Sequence, residues 1–281
     1  MKVINYKSKN FNREFYDSFK EYGIAIIDNH GIHPNLYEQV KLDWYGFFKS
    51  ADKYNYICGS EKDEGYIPHS AVENCLESKT ATRDFKELAH FYPNRLPPQI
   101  NDTHNDLYKK TMEIALKACT ALDKITPKHV LRSQRYSFYE MINKSKKTCL
   151  RINHYIKTRA YSSEFICAPH KDINFMTLLL TNNDATIQSK TKLGEWLDVP
   201  RDKRYLIINS GETLEAITQS HFPSNVHQIL NPNKKEQLSR LSMELLVHPH
   251  RDVHVTGFGS AENYVRHKLG KIGFKFKYLN F

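Results

Sequence analysis

LRINHYI, residues 150–156, alternates in character: Arg151, Asn153 and Tyr155 fall on one side, and Leu150, Ile152 and Ile156 on the other. A period of two is the mark of a strand with one apolar face. Downstream the same kind of segment recurs at short intervals. MTLLL (176–180), ATIQS (185–189), EWLDV (195–199), YLIIN (205–209), NVHQIL (225–230) and RLSMELLV (240–247) are separated by the turn-like NND, KLGE, FPSN and NPNKK. Six or more short strands at this spacing predict a closed barrel or two packed sheets.

Upstream the character is mixed. Phe11, Phe15, Phe19 and Tyr22 stand at helical spacing, Gly23 stops that helix, and Ile24–Ile27 reads as a short buried strand. Pro34 opens a helix carrying Leu36, Val40, Trp44 and Phe47, and a further helix is expected over about 103–124. After the strands, SAENYVRHKLGKIG returns to helix, and FKFKYLNF (274–281) alternates aromatic and lysine residues. That tail is expected to pack its aromatic side over the barrel mouth or its helices. No linker or repeat divides the chain. It therefore reads as one domain: a mostly helical part with a short early strand (1–148), a strand-rich core (149–250), and a C-terminal helix and tail (251–281).

Composition excludes several classes. The 281 residues contain no apolar run of the roughly 18 needed to span a membrane. MKVINYKSKNF has no apolar core of a secretory signal. The five cysteines are odd in number and form no C-x-x-C, which argues against a disulfide framework or zinc-thiolate site and for the cytoplasm. The net charge of +10 invites a nucleic-acid reading, but the lysines are scattered and no nucleic-acid-binding signature accompanies them. A basic binding module is therefore the remote alternative, and a small-molecule partner is expected.

The chemistry starts from H-x-D. On a strand, residues i and i+2 point the same way, so this motif supplies two metal ligands from one edge. A third ligand completes the two-histidine, one-carboxylate triad that leaves positions open on iron(II). Chance alone yields roughly one H-x-D in a chain of this composition; three occur, at His104/Asp106, His170/Asp172 and His250/Asp252. The first pair opens a predicted helix, where residues two apart diverge by about 200° and both are expected in solvent. The third pair follows the last strand. His170 and Asp172 immediately precede the apolar INFMTLLL, where an edge can be held rigidly. For the third ligand both His221, in a turn beside Phe222-Pro223, and His227, in NVHQIL, stand open.

The order of motifs resembles the isopenicillin N synthase-like branch of the iron(II)/2-oxoglutarate-dependent oxygenases. IAIIDNHGI (24–32), RDFKELAHFYP (83–93), LRINHY (150–155), APHKDINFMTLLL (168–180), GEWLDVP (194–200), IINSGETLEAIT (207–218), SNVHQIL (224–230), SRLSMELLVHP (239–249) and AENYVRHKLGKIGF (261–274) match its segments in sequence order. The resemblance implies a mainly β fold, a distorted double-stranded β-helix (jelly roll, cupin-like) flanked by α-helices. It implies iron(II) held by His170, Asp172 and His227. It also implies 2-oxoglutarate held by Arg240 and Ser242 of an R-x-S pair, with Asn153 and Tyr155 as further contacts. A rigid guanidinium fork suits a carboxylate, and a hydroxyl adds a donor. A second R-x-S, Arg135/Ser137, has no such context. With O2, the implied reaction oxidises a C–H bond of a small molecule and releases succinate and CO2. A 2-oxoglutarate-independent oxidase of the isopenicillin N synthase type, in which Arg240 and Ser242 bind the substrate's carboxylate, is the alternative. Asn174, Glu212 and Gln228 depart from the usual residues, and Lys171 between the two ligands is expected to reach a substrate anion or solvent.

Overall fold

Helices α1 (Phe11–Tyr22), α2 (Pro34–Lys49) and α3 (Thr103–Ile125) bury one face each. In α1, Phe11, Phe15 and Phe19 repeat every four residues and all are buried. Gly23 ends α1 in the left-handed region at φ 65°, donating its N–H to Phe19 O. Any Cβ there would stand 2.3 Å from Pro223 O, so the turn needs glycine on both counts. Short helices α4 (Phe138–Ile142) and α5 (Glu212–Ile217), and the C-terminal α6 (Ala261–Lys271), complete the set. This computed structural model describes residues 1–58, 64–72, 84–93, 95–100, 102–158, 164–180, 185–232 and 239–271. The expected packing of FKFKYLNF falls on residues 274–281, outside the described residues.

The strands are β1 (Val3–Asn5), β2 (Ile24–Asp28), β3 (Gly65–Ile67), β4 (Lys86–Phe91), β5 (Cys149–Tyr155) and β6 (Phe165–His170). They continue with β7 (Met176–Leu180), β8 (Thr186–Lys190), β9 (Trp196–Asp198), β10 (Leu206–Ser210), β11 (His227–Leu230) and β12 (Arg240–Val247). One sheet runs β1-β2-β10-β7-β12-β5-β4-β3, the other β6-β11-β8-β9. The first pair, β1 with β2, is parallel, and the other named pairs are antiparallel. Before residue 148, β1 to β4 all join the large sheet alongside the helices.

The large sheet separates two cores. On its outer side Leu241, Met243, Leu245 and Val247 of β12 and Leu150 and Ile152 of β5 pack against the aromatic faces of α1, α2 and α3. On its inner side Ile26, Tyr155, Leu179 and Ile207 meet Cys167, Ile187 and Ile229 of the small sheet. Two facing sheets with helices on the outside make the jelly-roll arrangement that the motif order implies. Among the described residues no helix is long and apolar enough to cross a membrane, and no disulfide forms.

One sequence expectation is overturned here. His104 is not a solvent group at the start of α3: it is 1% exposed, and Trp44 Nε1 donates to its Nδ1 at 3.1 Å. Burial pushes its pKa down to about 4. Asp106, further round the helix, is exposed as expected.

Candidate metal centre

His170 is the last residue of β6, and His227 the first of β11. The two are register partners in an antiparallel pair, and their imidazole centroids stand 4.3 Å apart. Asp172 follows in the loop between β6 and β7. Its Oδ1 lies 3.6 Å from His170 Nε2 and 3.8 Å from His227 Nε2. One ligand atom from each of the three residues falls within 4.8 Å of the others. On the far side of each ring a backbone carbonyl faces Nδ1: Ala168 O at 2.9 Å for His170 and Asn225 O at 3.3 Å for His227. These contacts place the Nδ1 proton of each ring on its carbonyl and turn each Nε2 toward Asp172.

The loop carrying Asp172 is stapled to α5. Glu212 N donates to Asp172 O at 2.7 Å, Thr213 Oγ1 to Ile173 O at 2.6 Å, and Gly211 N to Phe175 O at 3.0 Å. A Cβ on Gly211 would fall 1.9 Å from Asn174 O, so the close approach of loop and helix start requires glycine. Asn174, an unusual residue at its position, is buried and donates to Met176 O and Thr177 Oγ1. Glu212 pairs with Lys268 at 2.6 Å, and Lys171 with Glu215 at 3.2 Å. Gln228 bonds to Gln188 across the small sheet.

The electrostatics suit a cation. Burial opposes the charge on Asp172, but His227 and His170 outweigh it and hold the carboxyl well below the usual range. Burial, then His170, lowers the pKa of His227. Burial also works to lower His170, but Cys167 and Asp172 beside it leave that ring above its ordinary value. The second oxygen of Asp172 is buried without a hydrogen-bond partner among the described residues. Two imidazoles, one carboxylate and an orphaned carboxylate oxygen fit a first-row divalent metal.

The other expected residues sit on the inner face of the large sheet. Arg240 pairs in register with Tyr155, and Ser242 with Asn153. The Arg240 guanidinium lies 5.5 Å from the Tyr155 ring centroid, and Asn153 Nδ2 donates to Ser242 Oγ at 3.2 Å. Ser242 in turn donates to Glu244 at 3.1 Å, and Glu244 pairs in register with Arg151. The rival motifs lie elsewhere. His221 meets Tyr16 OH on α1 at 3.1 Å. His250 meets Asn143 O, and Asp252 accepts from Tyr136 OH. Ser137 caps α4 in a capping box. Sequence reasoning quoted Asp84 and Lys86 only within a matched segment and gave them no role; Asp84 reaches Ala168 and Cys167 of β6, and Lys86 pairs with Asp84. The D-x-K spacing was visible, but nothing in it named a partner.

The family model described as the 2OG-Fe(II) oxygenase superfamily matches residues 146–249. Gibberellin 2-beta-dioxygenase 2 of Arabidopsis thaliana is 23% identical over 253 residues, covering 85% of this chain and 72% of that protein. Jasmonate-induced oxygenase 3 of the same plant is 26% identical over 237 residues, covering 80% and 64%. In three dimensions a crystal structure of a candidate oxygenase from Shewanella oneidensis superposes with a TM-score of 0.85 at 31% identity, covering 97% of this chain and 99% of that one. The fold is also shared by a full-length Neurospora crassa protein in complex with alpha-KG and thymine, at a TM-score of 0.75 and 16% identity, with 96% of each chain covered. Matched over nearly its whole length at 31% identity, and carrying the family's domain across the strands that hold its two facing histidines, this chain belongs to the 2OG-Fe(II) oxygenase superfamily.

Proposed function

We propose that His170, Asp172 and His227 hold the iron(II) of this dioxygenase, and that Arg240 and Ser242 bind the distal carboxylate of 2-oxoglutarate, with Asn153 and Tyr155 walling the same site. The convergence of the three ligand atoms within 4.8 Å carries this reading. Iron(II), when bound, supplies the redox chemistry that couples O2 to the decarboxylation of 2-oxoglutarate and the oxidation of a C–H bond. The chain's own residues position and exclude. The backbone carbonyls of Ala168 and Asn225 orient the two imidazoles. The Glu212 amide fixes the loop that bears Asp172. Arg240, only 6% exposed, presents a charged fork in a poorly hydrated wall, where a paired carboxylate is held more strongly than in water. The inter-sheet side chains Leu179, Ile187, Ile207 and Ile229 keep water from the wall behind the site.

The substrate in this reading is a small organic molecule and not nucleic acid, and the whole chain acts as one oxygenase domain in the cytoplasm. Gibberellin in the name of one plant relative supports a small-molecule substrate, as does the JA bound with 2OG and Fe in the JOX2 structure. Scattered lysines and the lack of disulfides among the described cysteines support the other two points.

Anaerobic titration of the iron(II)-loaded protein with 2-oxoglutarate tests the site. A visible charge-transfer band should grow to saturation, and under air a panel of small organic acids should reveal one that stimulates succinate release. No band at millimolar 2-oxoglutarate and no succinate under air would sink the cosubstrate assignment and transfer Arg240 to a substrate carboxylate.

A further inference from the structure

Strand β6 is irregular just where it delivers its histidine. His227 pairs with His170 and Ile229 with Cys167, so Ala168 and Pro169 together oppose Gln228 alone. That is a β-bulge, and Pro169 has no N–H with which to hold it. The bulge is met from a distant part of the chain by Asp84. Its Oδ1 accepts the Ala168 N–H at 3.0 Å, and its Oδ2 accepts Lys86 Nζ at 3.0 Å and Cys167 Sγ at 3.2 Å. Asp84 is 8% exposed and lies 84 residues from Ala168 in sequence. Burial alone would raise its pKa, but Lys86, the Ala168 N–H and His170 outweigh burial and hold the carboxylate below its usual value. The same Ala168 residue presents its carbonyl to His170 Nδ1 at 2.9 Å.

We propose that Asp84 is a positioning residue for the metal centre: by holding the Ala168 N–H it fixes the bulge in β6, and through the Ala168 carbonyl it fixes the imidazole of His170. This rests on the reading of His170 as a metal ligand. The logic is that of outer partners which orient a ligand ring, carried here through one residue of backbone. A buried Asp–Lys pair serving the fold alone would predict something different. Its loss would lower stability and leave the affinity of the folded protein for metal unchanged.

Cobalt(II) titration of metal-free protein, in competition with a chelating dye, separates these. Wild type should bind one cobalt(II) and His227→Ala should lose it. If wild type binds none, the triad reading itself fails. Given wild-type binding, Asp84→Ala should raise the cobalt Kd by about tenfold or more, measured on protein whose circular dichroism shows it folded. Asp84→Asn keeps a carbonyl oxygen for Ala168 N–H but turns an amide donor toward the Lys86 ammonium, so it should also weaken binding. Adding Lys86→Met to Asp84→Asn removes that opposition and should restore the Kd to within about threefold of wild type, on the same scale of outer-partner effects. If Asp84→Ala does not fold, the Asp84→Asn single and double variants decide. Single substitutions that bind cobalt as wild type does would overturn the proposal, and so would a double variant as weak as the single.

Discussion

The two faces of β12 divide the labour of the molecule. Leu241, Met243, Leu245 and Val247 point outward and are fully buried against the helices, while Arg240, Ser242 and Glu244 point inward with Asn153 and Tyr155. The outer core is broad, aromatic and continuous through α1, α2 and α3; the inner one is smaller and admits polar groups. The contrast teaches that the alternation of one strand assigns stability to one side and chemistry to the other. A site full of ionisable groups can then be altered with little damage to the fold, and the fold damaged with little change to the site.

The hardest blow to the inner side is Asp172→Ala. It should cut turnover by more than about a thousandfold, since in the proposed reading the metal loses its anionic ligand. The melting temperature of metal-free protein should stay within a few degrees of wild type. Asp252→Ala and Asp106→Ala, the corresponding changes in the other H-x-D pairs, should leave bound iron, counted by elemental analysis, at the wild-type level.

The outer side should behave in the opposite way. Leu245→Ala empties a fully buried site on the helix-packed face and should cost about 3 kcal/mol in urea unfolding, with the 2-oxoglutarate Kd of the folded fraction unchanged. A shifted Kd would mean that the two faces are coupled through the sheet.

Acid should also attack the fold. His104 and His248 are held neutral by burial, each with its pKa lowered to about 4, and Arg151 and Lys147 depress His248 further. The unfolded chain takes up their protons first, so stability is complete above about pH 6.5 and is lost as the pH falls toward 4. From pH 7 to 5 the loss should be about 2 kcal/mol for each ring. Urea melts at the two pH values measure it, and His104→Phe should flatten its share of the slope. An unchanged slope in that variant would show that His104 does not stay neutral.

The smallest expected effect is the most specific. Arg240→Gln should raise the Kd for 2-oxoglutarate by about ten- to a hundredfold, equivalent to roughly 1.4–2.7 kcal/mol. Iron content should be untouched, because Arg240 is no ligand in this reading.

The strands that carry this contrast were legible because each has one consistent period. The alternation of LRINHYI puts Tyr155 among the inter-sheet residues and Leu150 and Ile152 among the helix-packed ones, as observed. The early β3 and β4 were not legible. KELAHF is a strand buried almost throughout, with Lys86 and Glu87 satisfied by ion pairs, so it shows no alternation of polarity. His104 was misjudged because its position at a helix start says nothing about Trp44, which is 60 residues away in sequence and seals it from solvent. Asp84 illustrates the same limit. Its role depends on a bulge in another strand, which only the register of β6 against β11 reveals.

The order in which the strands lie beside one another also has a consequence in time. Asn153 meets Ser242 across 89 residues of chain, and Asn225 reaches back across 203 residues to Tyr22. Pairings so remote in sequence require large loops to close before any contact rewards them, which places such topologies among the slow folders, on the order of milliseconds to seconds. On a ribosome, α1, α2 and α3 can form and associate early, but β5 must wait for β12. During that interval the strand bearing Asn153 and Tyr155 has an open edge, and the nascent chain is at its most exposed to mispairing and aggregation.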